Sequence, residues 1–234
     1  MFVNYAHRGA SEYAPENTMS SFYLGLTMKA NGIETDVQKT KDGKLVLFHD
    51  DTLIRVTGEQ GCISDYTYDE LMKMRVRKNG LEDKIVLFED FLRYFGFRDL
   101  TFAIELKESG FEKEVIELLD KYEMCEKTVI TSFIFDCIKE CKRLAPRYKV
   151  GWLNYDFGEE EIENFSAIGG EQLCPQAVNI TPEKSEKWHA MGYGVRAWGI
   201  SDTQVMEHAV KCGVDGMTVN FPDKLTEYLA KNRI

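Results

Sequence analysis

Short apolar runs alternate with longer amphipathic segments along the whole chain. This alternation is typical of strands and helices that follow one another around a parallel sheet. Helical spacing of apolar residues predicts helices over residues 19–30 and 111–122, with Asn17 or Thr18 as the N-cap of the first. The runs predicted as strands are residues 2–6, 32–37, 101–106, 128–132, 150–153, 172–174, 194–198 and 216–219.

One further apolar run, residues 45–48, does not fit the alternation. Residues 38–44 alone separate it from the second strand, and a parallel crossover needs roughly a dozen residues or more, so the two runs must be antiparallel. The pair Asp42-Gly43 is a strong hairpin turn signal. We therefore predict an insertion, from residue 45 to about 76 or slightly further, between the second strand and its helix.

The eight remaining strands predict an α/β fold, a compact TIM (β/α)8 barrel, in one catalytic domain over residues 1–234. A doubly wound open sheet is the alternative. That arrangement is disfavoured because no glycine-rich phosphate loop follows the first strand.

Composition and charge exclude several classes of protein. The 234 residues are 44% hydrophobic and 29% charged, as in a globular chain, and the net charge is −10. Such a surface repels nucleic-acid phosphates and anionic membranes, so no nucleic acid is expected as a partner. A small anionic substrate fits if a metal or a few basic residues invert the local field.

The sequence shows none of the segments that direct a protein to a membrane or out of the cell. The first residues have no basic segment followed by an apolar one, and no window of about 18 apolar residues exists, so neither a signal peptide nor a membrane anchor is expected. The six cysteines show no metal-binding spacing, and Cys137 and Cys141 are expected to pack. Reduced thiols and a cytoplasmic location follow, while the oligomeric state leaves no mark.

Polar side chains gather at the predicted carboxyl ends of the strands, where a TIM barrel has its active site. Carboxylates two residues apart on a strand share a face, so three of them would converge and repel one another unless a cation lay between them. Ligation by oxygen alone favours Mg²⁺ or Ca²⁺ over zinc. The residues are His7 and Arg8, Glu34 and Asp36, His49 and Asp50, and Glu105 and Lys107.

Longer motifs surround these residues. They are His7-Arg8-Gly9 with Pro15-Glu16-Asn17-Thr18, Glu34-x-Asp36-Val37, Leu47-Phe48-His49-Asp50, Thr52-Leu53, Arg55 with Thr57-Gly58, Thr67 with Glu70-Leu71, Ile104-Glu105-Leu106-Lys107, Ser132-Phe133, residues 195–198, and Asp215-Gly216 with Asn220 and Pro222. Together they resemble the glycerophosphodiester phosphodiesterase family. The resemblance runs from one end of the chain to the other and is most specific in the first fifty residues.

The resemblance implies a TIM barrel with an insertion after the second strand. It also implies metal-dependent hydrolysis of a small anionic glycerophosphodiester to sn-glycerol 3-phosphate and an alcohol. Carried over by position, the roles are metal ligands for Glu34, Asp36 and Glu105, acid-base catalysis for His7 and His49, and phosphate contacts for Arg8 and Lys107. The implied cofactor is one divalent cation, Mg²⁺ or Ca²⁺, with Mn²⁺ as a further candidate.

Trp198 ends a predicted strand at the barrel mouth. We interpret it as a flat apolar wall beside the glycerol skeleton, with simple filling of the barrel as the alternative. His189 and His208, which lie in predicted helices, are expected to be surface or packing residues.

Two segments depart from the family pattern. Arg196 and Gly199 stand where Asn and Thr are usual, and this change concerns the pocket for glycerol or the alcohol. Residues 85–89 read Ile-Val-Leu-Phe-Glu in place of Ile-Pro-Thr-Leu-Glu, a change that we interpret as structural.

Two questions remain open from the sequence. A phospholipase D-like hydrolase of lysophospholipids and a non-catalytic barrel that only binds ligands are the alternative functions. The nucleophile is either water or the glycerol 2-hydroxyl.

Overall fold

Eight parallel strands close into a barrel in the computed structural model, which describes residues 2–234. The strands are β1 (Val3–His7), β2 (Gly32–Lys39), β3 (Leu45–Leu47), β4 (Val76–Lys78), β5 (Leu81–Asp83), β6 (Val86–Leu87), β7 (Thr101–Leu106), β8 (Thr128–Ser132), β9 (Lys149–Asn154), β10 (Gln172–Pro175), β11 (Gly194–Ala197) and β12 (Gly216–Val219). Hydrogen bonding runs in order through β1, β2, β7, β8, β9, β10, β11 and β12, and β12 pairs again with β1. The predicted TIM barrel is confirmed, and the open doubly wound sheet is excluded by this closure.

Helices surround the barrel. They are α1 (Met19–Thr27), α2 (Ile54–Thr57), α3 (Tyr68–Leu71), α4 (Phe88–Phe95), α5 (Glu112–Lys121), α6 (Phe135–Leu144), α7 (Glu159–Ala167), α8 (Pro182–Ala190), α9 (Thr203–Lys211) and α10 (Pro222–Asn232). Within residues 2–234, no helix combines the length and the hydropathy needed to cross a membrane. All six cysteines are free thiols, and Cys137 and Cys141 are buried in α6.

The run at residues 45–48 forms the predicted antiparallel pair with β2, in which Val37 lies opposite Leu47. The inserted segment extends beyond residue 76, because β4 and β5 form a second hairpin and β6 then pairs with β3. Its apolar side chains form a small separate core that includes Phe48, Leu53 and Leu71. The insertion is therefore fixed at the edge of the barrel mouth, and residues 86 and 87 of the departing segment form β6.

The first helix is shorter than predicted. Thr18 is the N-cap, since its side chain accepts a hydrogen bond from the Ser21 amide, but the helix ends at Thr27 and not at residue 30. Lys29 adopts a left-handed conformation with a φ of 63°, which stops the helical hydrogen-bond pattern. The remaining residues lead directly into β2.

Two large side chains, Tyr5 and Arg196, fill the interior of the barrel beneath the mouth formed by the carboxyl ends of the strands, and both are almost completely buried. Glycine on a neighbouring strand makes room for the tyrosine ring, because a Cβ on Gly32 would lie 2.7 Å from Cδ1 of Tyr5. The interior is thus closed below and opens only at the carboxyl ends of the strands. Above this floor lie the polar residues that the sequence predicts at the mouth.

Candidate active site

A cavity of about 290 Å³ opens at the carboxyl ends of the barrel strands. Its lining has a polar side, from β1, β2, β7 and the segment after β3, and an apolar side from the ends of β8, β9 and β11, while Arg196 and Thr218 come from β11 and β12. The lining residues are His7, Arg8, Glu34, His49, Glu105, Phe133, Leu153, Tyr155, Arg196, Trp198, Gly199 and Thr218. This is the position at which TIM barrels carry their chemistry.

Three buried carboxylates meet on the polar side. One oxygen from each of Glu34, Asp36 and Glu105 lies within 4.8 Å of the others. Burial raises the pKa of Glu34 and of Glu105, and repulsion from the neighbouring carboxylates raises both further. Burial also acts to raise the pKa of Asp36, but the charges of Arg8 and Lys107 outweigh it, so that carboxylate stays ionised at neutral pH.

The three carboxylates fit a hard divalent cation. The Oδ1 atom of Asp36 is buried and has no hydrogen-bond partner within residues 2–234. The Lys107 Nζ lies 3.8 Å from it, beyond hydrogen-bond distance. An unpartnered buried carboxylate oxygen is costly, and a cation coordinated by oxygen atoms would satisfy it. These residues could therefore hold a metal ion.

Two basic side chains border the carboxylates. Arg8 donates from Nη1 to Oε1 of Glu16 at 2.8 Å, and its Nε lies 3.3 Å from Oδ2 of Asp36. Lys107 donates from Nζ to Oε1 of Glu105 at 2.8 Å. Positive charge is thus held beside the carboxylates, where an anion entering the cavity would meet it.

His7 lies between an amide and a carboxylate. Its Nδ1 is 2.6 Å from Oδ1 of Asn220, and its Nε2 is 3.8 Å from Oε2 of Glu34. Because an amide oxygen only accepts, Nδ1 carries the proton and Nε2 keeps its lone pair. Burial, reinforced by the charge of Arg8, lowers the pKa of His7 to about 3, so the ring is neutral at neutral pH.

His49, from the inserted segment, has a different partner. Its Nδ1 donates to Oδ1 of Asp50 at 2.7 Å. Burial acts to raise the pKa of Asp50, but hydrogen bonds from Arg55 and His49 outweigh it and lower the pKa to about 2. Arg55 also donates to both carboxylate oxygens of Glu16, at 2.7 and 2.8 Å. This network ties the insertion to the loop after β1 and fixes the imidazole at the mouth.

Aromatic rings form the apolar side of the cavity. The ring centroid of Trp198 lies 5.0 Å from that of Phe133 and 5.4 Å from that of Tyr155. The indole Nε1 of Trp198 donates to the carbonyl of Asn154 at 3.1 Å. Since the indole N–H is used by the protein, Trp198 presents only its apolar surface to a ligand.

The structure brings most of the predicted site residues into one cavity. Asp36 lies directly behind the lining residues. Lys107 contacts the site through its hydrogen bond to Glu105, which lines the cavity, and its Nζ lies 3.8 Å from Oδ1 of Asp36. The two other histidines lie outside: His189 contacts Asp215 at 2.9 Å, and His208 contacts the Ile180 carbonyl at 3.0 Å.

Several contributors to the site carry no role that the sequence predicts. Asn220, Asp50 and Arg55 belong to motifs that the sequence displays, although nothing in their spacing reveals their partners. Tyr155 lies in the loop directly after β9, and this position at a strand end is the only feature of the sequence that points to the site. Their contacts exist because the barrel closes β12 against β1 and the insertion folds back over the mouth.

The sequence is similar to those of known proteins. The model of the glycerophosphoryl diester phosphodiesterase family matches residues 7–224. A glycerophosphodiester phosphodiesterase of Caldanaerobacter subterraneus subsp. tengcongensis is 32% identical over 236 residues, which cover 97% of each chain. One from Bacillus altitudinis is 30% identical and covers 94% of this chain and 95% of its own.

Solved structures share the fold. A phosphodiesterase of Oleispira antarctica, in complex with the product sn-glycerol-3-phosphate, superposes with a TM-score of 0.88 at 24% identity, covering 98% of this chain and 97% of its own. A glycerophosphodiester phosphodiesterase of Agrobacterium tumefaciens str. C58 gives a TM-score of 0.85 at 24% identity, covering 97% of this chain and 100% of its own. The chain therefore belongs to the glycerophosphoryl diester phosphodiesterase family and is a phosphoric diester hydrolase.

Proposed function

We propose that this enzyme releases sn-glycerol 3-phosphate and an alcohol by acid-base catalysis that depends on one divalent cation held by Glu34, Asp36 and Glu105. The observation that carries the proposal is the unpartnered Oδ1 of Asp36, buried among carboxylates beside two histidines. The product bound to the Oleispira relative is consistent with the same cleavage here. An enzyme of this family is not expected to be a mere binding module.

Charge neutralisation is the first requirement of the reaction, because a phosphodiester anion repels a nucleophile. A divalent cation, Mg²⁺ or Ca²⁺ and less favourably Mn²⁺, would stabilise charge on a phosphoryl oxygen. Arg8 and Lys107 stand on either side of the carboxylates and bind the remaining non-bridging oxygens. Together they orient the phosphate so that the ester oxygen of the departing alcohol points to His49 and the nucleophile approaches from the side of His7.

The two histidines take opposite roles because their partners differ. The neutral partner of His7, the Asn220 amide, leaves Nε2 free to accept a proton from the nucleophile, which is water or the glycerol 2-hydroxyl. His49, whose Nδ1 is held by the carboxylate of Asp50, gives a proton from Nε2 to the departing alcohol oxygen. One proton is thus taken and one given while the bond from the nucleophile to phosphorus forms and the P–O bond to the alcohol breaks. When the nucleophile is the 2-hydroxyl, the resulting cyclic phosphate is then opened by water, which gives sn-glycerol 3-phosphate.

Trp198 contacts the carbon skeleton of the substrate. Its indole N–H is occupied by the Asn154 carbonyl, so only its apolar surface faces the cavity. Phe133 and Tyr155 extend this surface to the rim, where they are 40% and 63% exposed.

The exposed rim favours one second candidate, a lysophospholipid substrate, whose acyl chain would contact these rings. In such a lipid one glycerol hydroxyl is esterified, and the closed floor of the cavity leaves little room for that group. We therefore expect kcat/KM for glycerophosphocholine to exceed that for lysophosphatidylcholine by at least about tenfold, as steric exclusion in a closed pocket allows. The measurement is choline release from each substrate, with lysophosphatidylcholine supplied below and above its micellar concentration. A preference for the lipid would overturn this assignment and establish the second candidate.

A further inference from the structure

Arg196 is the largest side chain that is fully buried in residues 2–234, with 1% of its surface exposed. It stands on β11 inside the barrel, with its guanidinium carbon 5.4 Å from the centroid of the Tyr5 ring. It also lines the floor of the cavity. A positive charge in such a position is expensive unless it is paired or hydrogen bonded.

The protein satisfies this guanidinium only in part. Nε donates to Oε1 of Gln172 at 3.2 Å, and Nη2 lies 3.5 Å from Sγ of Cys174, a weak acceptor. Within residues 2–234, no carboxylate forms an ion pair with Arg196, and Nη1 has no hydrogen-bond partner. Charged donors therefore remain available at the closed end of the cavity.

The shape of the cavity decides which part of the substrate reaches these donors. Arg196 and Thr218, at 1% and 4% exposure, are among the most buried lining residues, whereas Tyr155 at the rim is 63% exposed. The alcohol varies between glycerophosphodiesters and needs the open rim, while the glycerol unit is common to all of them and suits the closed end. Its hydroxyl oxygens can accept hydrogen bonds from a guanidinium, whereas a quaternary ammonium group would be repelled.

We propose that Arg196 is a specificity-determining residue that donates hydrogen bonds to the glycerol hydroxyl oxygens of the substrate at the floor of the cavity. This inference rests on the proposed function, because it takes the phosphate to lie beside Arg8 and Lys107. It adds a contact that selects glycerol phosphates over simple alkyl phosphates. Such discrimination is strong when a buried donor is left unpaired by the wrong ligand.

Equilibrium binding tests the proposal without depending on turnover. Isothermal titration calorimetry with Mg²⁺-loaded enzyme compares sn-glycerol 3-phosphate with n-propyl phosphate, which has the same carbon chain and phosphate but no hydroxyls. We expect the native protein to bind the glycerol ligand at least about tenfold more tightly. Arg196→Met keeps a long unbranched side chain without donors. It should lower the affinity for sn-glycerol 3-phosphate by about 10-fold to 100-fold and the affinity for propyl phosphate by less than about threefold.

Two further variants control for structure. Cys141→Ala alters a buried side chain of α6, away from the cavity lining, and should leave both affinities unchanged. Arg196→Lys keeps the charge and should retain part of the preference for glycerol, which keeps the test informative if the methionine variant does not fold.

The outcomes separate the inference from the proposed function. The role of Arg196 alone would be overturned if Arg196→Met lowered the affinity for both ligands equally or for neither. It would also be overturned if the native protein bound the glycerol ligand no more tightly than propyl phosphate. A native protein that binds neither ligand would overturn the phosphate site, and with it the proposed function.

Discussion

Replacing His7 with alanine is expected to lower kcat for glycerophosphocholine by about 10²–10⁴, the usual contribution of a general acid or base. The Nδ1 atom of His7 is held by Asn220 at 2.6 Å, so the ring is fixed with Nε2 toward the cavity. Alanine removes the proton acceptor but leaves the carboxylates, Arg8 and Lys107 in place. KM should therefore change much less than kcat, since the phosphate contacts remain.

Steady-state release of choline, with circular dichroism to verify folding, measures this effect. His49→Ala should give a loss of the same order, because the departing oxygen then lacks its proton donor. His189→Ala is the matched control, since that imidazole contacts Asp215 outside the cavity and should leave kcat unchanged. Full activity in either His7→Ala or His49→Ala would refute the assignment of that residue.

Asp36→Asn is expected to remove most of the affinity for the divalent cation and to lower kcat/KM by at least about 10²–10³, the scale of losing one preorganised charge-stabilising group. Asp36 is completely buried between Glu34 and Glu105, so its charge cannot be replaced by solvent. Asparagine keeps the size of the side chain and an oxygen that can accept the hydrogen bond from Asn17. The fold should consequently survive the substitution.

Titration with Mn²⁺, followed by electron paramagnetic resonance, reports metal affinity independently of catalysis. Glu160→Gln removes an exposed carboxylate of α7 and serves as the control for a simple change of net charge. If Asp36→Asn bound Mn²⁺ as tightly as the native protein and kept its rate, the three carboxylates would not form the metal site.

Much of the fold is predictable because it depends on local spacing. The short connection over residues 38–44 forces an antiparallel pair, and the structure shows it between β2 and β3. The end of α1 is not predictable in this way. Residues 28–30 have helical spacing, but Lys29 adopts a left-handed conformation where the chain must turn into the barrel.

In the candidate site, too, local spacing is predictable from the sequence and long-range contacts are not. Glu34 and Asp36 share a strand, so the strand period of two predicts from the sequence alone that they lie on one face. The partner of His7 is Asn220, more than two hundred positions away, and only closure of the barrel brings the two together. Arg196 shows the limit most clearly, because a charged residue on a short strand gives no sign that it is fully buried.

Cleavage of glycerophosphodiesters is expected to require a divalent cation bound by Glu34, Asp36 and Glu105. The most direct test is release of sn-glycerol 3-phosphate from glycerophosphocholine, measured in EDTA and again after Mg²⁺, Ca²⁺ or Mn²⁺ is restored. We expect EDTA to abolish release and one of these ions to restore it. Undiminished release in EDTA, after exhaustive dialysis against the chelator, would contradict the account.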